Sequence, residues 1–327
     1  MRRIFEYAAS AAVCVAAALT GCQKNVVDEQ SSAEMVTLEV SIPIEETKAV
    51  SGIDESMIKS CQVFVFNDND VLEAYVNGSS SKVDVNCTMG TKTVAVLVNA
   101  PAMTDVKVID DLMNKRSSLS DNAADAFVME GMRPLEIESA ENVKVEVSVT
   151  RKVAKVKLVE VVSAFELEQY VKTPFKISSV YLINVPADNS YFMNSAPQVW
   201  FNKSGYVSSD DNTLIYDDMK NYLVDPAGKY SGGNTFFCYP NPASSDSFDY
   251  QWSPRNTRLV VEALLGDQKY YYPVTLPKLE QNKSYEVRLT VTRPGSYEPD
   301  TIVDKFAAEF SLTVEDWVSG GSVSEEI

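Results

Sequence analysis

Residues 35–44 read Met-Val-Thr-Leu-Glu-Val-Ser-Ile-Pro-Ile. Val36, Leu38, Val40, Ile42 and Ile44 alternate with Thr37, Glu39, Ser41 and Pro43, so an extended chain carries five apolar side chains on one face and polar ones on the other. A strand of that kind needs a sheet to bury it. It stops at the polar break Glu45-Glu46-Thr47-Lys48, and the same pattern then resumes. Cys61 to Phe66, Val71 to Val76, Lys82 to Cys87 and Thr93 to Asn99 are strand-like runs, parted by Asn-Asp-Asn-Asp and Asn-Gly-Ser-Ser-Ser turn clusters. Four strands at hairpin spacing predict an antiparallel sheet.

Further along, Val143 to Val149 and Val153 to Val159 alternate on either side of Arg151, near which we place a domain junction. Ile177 to Val185, Thr235 to Tyr239, Arg258 to Leu264, Tyr270 to Thr275, Tyr285 to Thr292 and Phe310 to Val314 are strand candidates in the second half. One helix is expected over Thr104 to Lys115, with Thr104 as N-cap and Val108 and Leu112 on the face that covers a sheet. Residues 186–234 read as a long loop rich in Asn, Asp, Ser and Gly, a length usually tied to function or mobility. The expected fold is therefore all-β with minor helix, in two β-rich domains of residues 35–155 and 156–327.

The first 21 residues have the form of a signal peptide: Arg2 and Arg3, then an apolar run from Ala8 to Leu19 too short to be a permanent membrane span. The run ends in Leu19-Thr20-Gly21-Cys22, a lipobox, which makes Cys22 the lipidated mature N-terminus. More than one acyl chain on Cys22 anchors a protein stably, at about 0.8 kcal/mol per buried methylene. Residues 22–34 are polar and without period, as a tether would be. The localisation this implies is the outer membrane, surface-exposed.

Composition closes off whole classes of chemistry. The chain of 327 residues has a formal net charge of -17, which repels nucleic acid. It contains no histidine, the commonest general base, metal ligand and partner of a nucleophilic serine. Asp68-Asn69-Asp70 and Asp210-Asp211-Asn212 lack the frame of a calcium loop and read as turns. Ser79 and Lys82 have a Ser-x-x-Lys spacing in a turn rather than at a helix start. With no Gly-rich phosphate loop and no Cys-x-x-Cys pair, no cofactor is expected and an enzyme is not the reading. Once Cys14 leaves with the signal and Cys22 is acylated, Cys61, Cys87 and Cys238 remain; Cys61 and Cys87 either pair or, as we favour, stay reduced and buried. Tyr270-Tyr271-Tyr272, Trp200-Phe201 and Trp252 are candidates for stacking on sugars, or for packing a sheet.

Taken in order, several motifs resemble the fimbrillin family of pilus subunits from Gram-negative anaerobes. They are the lipobox, the first strand followed by Glu46-Thr47-Lys48-Ala49, Val149-Thr-Arg-Lys-Val-Ala-Lys-Val-Lys-Leu158, Asn282-Lys-Ser-Tyr-Glu-Val-Arg-Leu-Thr-Val291, Gly295-Ser-Tyr-Glu-Pro299 and Val314-Glu-Asp-Trp317. The resemblance implies two transthyretin-like antiparallel β-sandwich domains and a lipidated precursor. A trypsin-like protease would cut that precursor after a basic residue in the loop following the first strand. It further implies that the freed strand leaves a groove which an extended segment of a neighbouring subunit fills. By position, Lys48 and Ala49 flank the implied cleavage, and Lys replaces the family's usual Arg. The strand removed would carry Val36, Leu38, Val40, Ile42 and Ile44. Phe310, Leu312, Val314 and Trp317 mark the donor-strand candidate, the alternative being that they complete the second sheet. The implied partners are other fimbrial subunits, the outer membrane through Cys22, the processing protease and a host or bacterial surface receptor. The product is a fimbrium serving adhesion or biofilm formation. Two other readings stand beside it: an anchor or tip subunit that keeps its first strand, and a glycan-binding surface lipoprotein.

Overall fold

The alternation that opens the chain is realised as strand β1, Met35–Ser41, with Val36, Leu38 and Val40 buried and Ile42 buried just beyond its end. The structure, a computed structural model, describes residues 35–43, 54–141, 143–193, 195–205, 214–243, 252–304, 307–317 and 324–326. Cys22, the signal and tether segments, Ile44, Lys48, Ala49 and Asp210-Asp211-Asn212 lie outside them. β2 (Cys61–Asn67), β3 (Leu72–Gly78), β4 (Lys82–Thr88) and β5 (Gly90–Val98) follow as expected. β2 pairs antiparallel with both β3 and β5.

Two sheets sandwich the first core. One has the order β4, β1, Val143–Glu146; the other has β3, β2, β5, Met129–Ile137 and Thr150–Arg151. Val36, Leu38, Val40 and Ile42 meet Val63 and Val65 of β2 and Val94 and Val96 of β5 in one cluster. The five-stranded sheet is buried on its other face too. Phe64, Phe66, Ala95 and Leu97 pack there against Met103, Val106, Leu112 and Tyr191.

A second sandwich follows the same logic. Its larger sheet runs Lys229–Tyr230, Ala154–Ser163, Lys283–Val291, Ala308–Asp316, Ser324–Glu326, with Asn234–Cys238 also on Ala154–Ser163. The smaller is ordered Tyr216–Val224, Phe175–Ile183, Arg258–Leu265, Gln268–Thr275. The second core between them includes Val156, Leu158, Val180, Leu182, Val261, Tyr272, Val287 and Trp317, and it also takes in Leu119 and Phe127 from earlier in the chain.

The all-β class with minor helix is what the structure shows, and it departs from the sequence reading in four places. Among the described residues the sheets are antiparallel apart from one parallel pairing in each sandwich, β1 with Val143–Glu146 and Ala154–Ser163 with Lys283–Val291. Period-two patterning is blind to strand direction, so it could not have shown this. The helix is only Ile109–Met113, because residues before it are held extended: Lys107 C=O accepts from Leu72 N–H (2.7 Å) and Val108 bridges Val71. The Asp111 carboxylate then accepts the Val108 N–H at 3.1 Å, and Leu112 is the buried contact.

Met129–Ile137 was invisible to periodicity because Gly131 and Pro134 interrupt it. Pro134 is tolerated because only Met129 and Glu130 of that strand have a partner on the side away from β5. Tyr216–Val224, inside the stretch read as loop, is a polar edge strand whose Lys220 and Asn221 take left-handed φ of 50° and 57°. Those two residues lie where the pairing with Phe175–Ile183 shifts register.

Residues 188–192 of the same stretch form a brace. Asp188–Ser190 pairs with Arg116–Ser118, and Arg116 binds Asp188 at 2.5 Å. Tyr191 buries itself in the outer face of the first sandwich, and the adjacent Phe192 N–H donates to Glu130, which is also ion-paired with the fully buried Lys152 at 2.9 Å.

Candidate functional site

β1 is the central strand of its sheet, and both neighbours come from distant parts of the chain. It pairs antiparallel with β4 from Met35 opposite Thr88 to Ser41 opposite Lys82, and parallel with Val143–Glu146 from Leu38 to Ser41. No hairpin ties it to either neighbour. Its inward side chains are at most 5% exposed, while outward Thr37 and Glu39 make only peripheral contacts, with Asn86 at 3.0 Å and Lys144 at 3.2 Å. Exposed pairs of that kind contribute little. The strand is therefore held by its apolar face and by backbone pairing on both edges.

The walls on either side are fastened independently of β1. On the β4 side, Lys92 of β5 reaches Glu73 of β3 at 2.9 Å and Thr88 Oγ1 at 3.0 Å, and Glu73 accepts the Thr88 N–H. Burial pushes the Glu73 carboxyl up, but Lys92 and Thr88 outweigh it and hold it below the ordinary glutamate value. On the other side, the Arg133 guanidinium donates to Glu146 C=O at 2.8 Å. Gly131 lets the next turn pass, since a Cβ there would stand 2.1 Å from the Ser148 carbonyl oxygen. Cys87, opposite Val36, and Cys61 lie buried and unpaired in the same core; burial raises the Cys61 thiol to about 11 and also lifts Cys87.

The donor candidate is divided between two environments. Ala308–Asp316 pairs antiparallel with Lys283–Val291 along its whole length, so in this chain it completes the second sheet. Leu312 and Val314 pack half-buried against that core, while Phe310 is 52% exposed. Trp317 lies beyond the strand's end and off its apolar face, stacked on Phe237 at 5.5 Å and edge-on to Phe127 at 5.2 Å.

The other sequence candidates resolve as turns and packing. Asn67 Oδ1 accepts the Asn69 and Val71 N–H groups, which shapes the Asp68-Asn69-Asp70 turn, and Ser80 caps Lys82 between β3 and β4. Tyr270, Tyr272 and Trp200 are buried, and Trp200 meets Trp252 edge-on at 5.4 Å. Among the described residues no acidic or cysteine cluster is suited to a metal ion. Lys92, Glu73 and Arg133 had no signal in the sequence, because each works through a partner that only the fold brings near.

The chain is similar to a fimbrilin (FimA) from Porphyromonas gingivalis, with a TM-score of 0.62 and 18% identity over 88% of this chain and 98% of that one. This chain has the fimbrilin fold. A candidate cell adhesion protein from Bacteroides eggerthii matches at a TM-score of 0.68 and 18% identity, over 87% of this chain and 97% of that one. The tip fimbrial protein Mfa3 of P. gingivalis matches at 0.56 and 14% identity, over 87% and 100%. No protein-family model and no curated protein sequence matches. The fimbrilin fold is thus conveyed here by topology and burial, at identities where sequence comparison finds nothing.

Proposed function

We propose that this chain is a subunit of a surface fibre, exported as a lipoprotein precursor acylated at Cys22. In this reading a trypsin-like protease cuts after Lys48, the first strand departs, and an extended segment of a neighbouring copy takes its place. The observation that carries the proposal is β1 itself: central in its sheet, buried on one face, and joined to neither of its neighbours by a hairpin. Its removal would uncover four apolar side chains' worth of core, about 6–12 kcal/mol of transfer free energy at roughly 1.5–3 kcal/mol each. It would also bare two strand edges at once, a template for strand addition.

The groove's demands on an occupant follow from the pairing. The incoming strand must run antiparallel to β4 and parallel to Val143–Glu146, with apolar side chains at four alternate positions. Ala308, Phe310, Leu312 and Val314 have that spacing. The role is structural rather than enzymatic, and its place is the cell surface.

The test is limited trypsin treatment of the soluble chain from Gln23 onward, with N-terminal sequencing and an unheated gel. A new terminus at Ala49 together with a ladder of heat-labile oligomers is expected. A stable monomer after cleavage at Ala49, or resistance at Lys48, overturns strand exchange in this form and moves the chain to an anchor or tip role with β1 retained.

A further inference from the structure

Glu55 lies seven residues after Lys48 and six before β2 begins at Cys61. Its carboxylate is held from two sides. Lys155 Nζ binds both oxygens at 2.8 Å, and the Trp317 indole N–H donates to Oε2 at 2.9 Å. Its backbone carbonyl accepts from Arg151 Nε at 3.2 Å. The same Arg151 donates to the Trp317 carbonyl at 3.3 Å and to Asn282 Oδ1 at 3.2 Å, and its guanidinium lies 4.7 Å from the centre of the indole ring. Lys155 approaches that ring at 5.1 Å, and the backbone N–H of Trp317 donates to Asn282 C=O at 3.0 Å.

One side chain therefore ties together three places distant in sequence: the exit of the loop after β1, the junction around Arg151, and the end of Ala308–Asp316. Glu55 and Lys155 have side chains only 17% and 20% exposed, so the pair is more sheltered from solvent screening than a surface ion pair. Ala308–Asp316 has its lasting partner on one edge only, with a three-residue pairing to Ser324–Glu326 on the other. A strand so placed opens from its end, and its end is where Glu55 sits.

We propose that Glu55 is an inhibitory clamp that keeps the C-terminal strand docked in the uncut chain and is loosened by cleavage of the loop that precedes it. This rests on the cleavage reading of the proposed function and adds a coupling to it. While the loop is intact, its two ends are pinned, Ile42 by burial and by its N–H to Ser81 C=O at 2.8 Å, and Glu55 by the contacts above. A cut leaves Glu55 as the seventh residue of a new N-terminal arm, held by these contacts alone and no longer by a chain pinned on its other side at Ile42, so the arm frays more readily. The segment that must leave to serve a neighbour is thereby released only in a subunit whose own groove is being opened.

The experiment is hydrogen exchange read by mass spectrometry on peptides spanning residues 308–317, in the chain from Gln23 to Ile327, as native, Glu55→Ala and Glu55→Gln, each before and after limited trypsin. Glu160→Gln, which breaks an exposed ion pair with Lys229 on the same sheet, is the control. In the uncut chain both Glu55 variants are expected to exchange at least about fivefold faster over 308–317, with β2 and β5 unchanged. Cutting the native chain, read in the monomer at a dilution where oligomers have not formed, is expected to give a similar rise, and cutting the variants less than about twofold more, because clamp and loop act on one opening. Exchange in both uncut variants within about twofold of native, or effects of cutting and substitution that multiply, overturns the clamp. Should Glu55→Ala prevent folding, Glu55→Gln alone decides. A cut chain that stays monomeric defeats strand exchange, and the comparison of uncut chains still decides the clamp.

Discussion

Leu38→Ala tests how β1 is held. Leu38 is fully buried, opposite Val85 on β4 and Val143 on the parallel side, and sits in the cluster with Val63, Val65, Val94 and Val96. The substitution removes three carbons, about 2.4 kcal/mol at roughly 0.8 kcal/mol per methylene, and leaves a cavity between two sheets whose walls are independently pinned. Partial collapse puts the total at about 2–5 kcal/mol. In the uncut chain this appears as a lower urea midpoint at unchanged slope. In a chain cut after Lys48, β1 stays only through non-covalent contacts. The same loss should speed release of the 23–48 fragment by roughly 30- to 4,000-fold, at about 1.4 kcal/mol per decade. Size-exclusion chromatography with mass detection of the fragment measures that rate. Release within about threefold of native, with the urea midpoint lowered as expected, would mean that β1 is held by something other than its apolar face, and the reasoning fails.

Two further outcomes follow from the same geometry. The chain from Gln23 onward has three thiols, all buried, with Cys238 pushed up to about 12, so DTNB should label none of them in the folded uncut chain. Loss of β1 bares the strand edge at Cys87, opposite Val36, and labelling of Cys87 ahead of Cys238 is expected; mass mapping of the adduct decides. Burial would raise the Asp188 carboxyl, but Arg116 and the Val199 and Gln198 N–H groups together hold it below its ordinary value of 3.8. A depressed carboxylate binds its proton more readily in the unfolded chain, so its stabilisation is complete above 3.8 and drains away as pH falls below that toward the folded value. Asp188→Asn should therefore lower stability at neutral pH and flatten the acid limb of the stability curve below about pH 4; an unchanged slope there would refute the assignment.

Much of this molecule is legible in its residues. The alternation from Val36 to Ile42 names both the strand and the face it buries, and the apolar runs at 61–66 and 93–99 name strands that are buried on both faces. Turn chemistry in Asn67-Asp-Asn-Asp70 and Asn77-Gly78 marks where the chain reverses. Met129–Ile137 escaped because Gly131 and Pro134 interrupt its pattern, and Tyr216–Val224 because a solvent-facing edge strand needs no apolar alternation.

Which strand lies beside which is a matter for the tertiary structure alone. Nothing local in Val36 to Ile42 says that β1 runs between β4 and Val143–Glu146, parallel to one and antiparallel to the other, and its whole proposed role depends on that place. Glu55, Lys155 and Trp317 are likewise ordinary residues until the fold brings positions 55, 155 and 317 within hydrogen-bonding distance. Side-chain period reports burial, which each residue registers for itself; neighbourhood is a relation between distant segments, and only packing the two cores together establishes it.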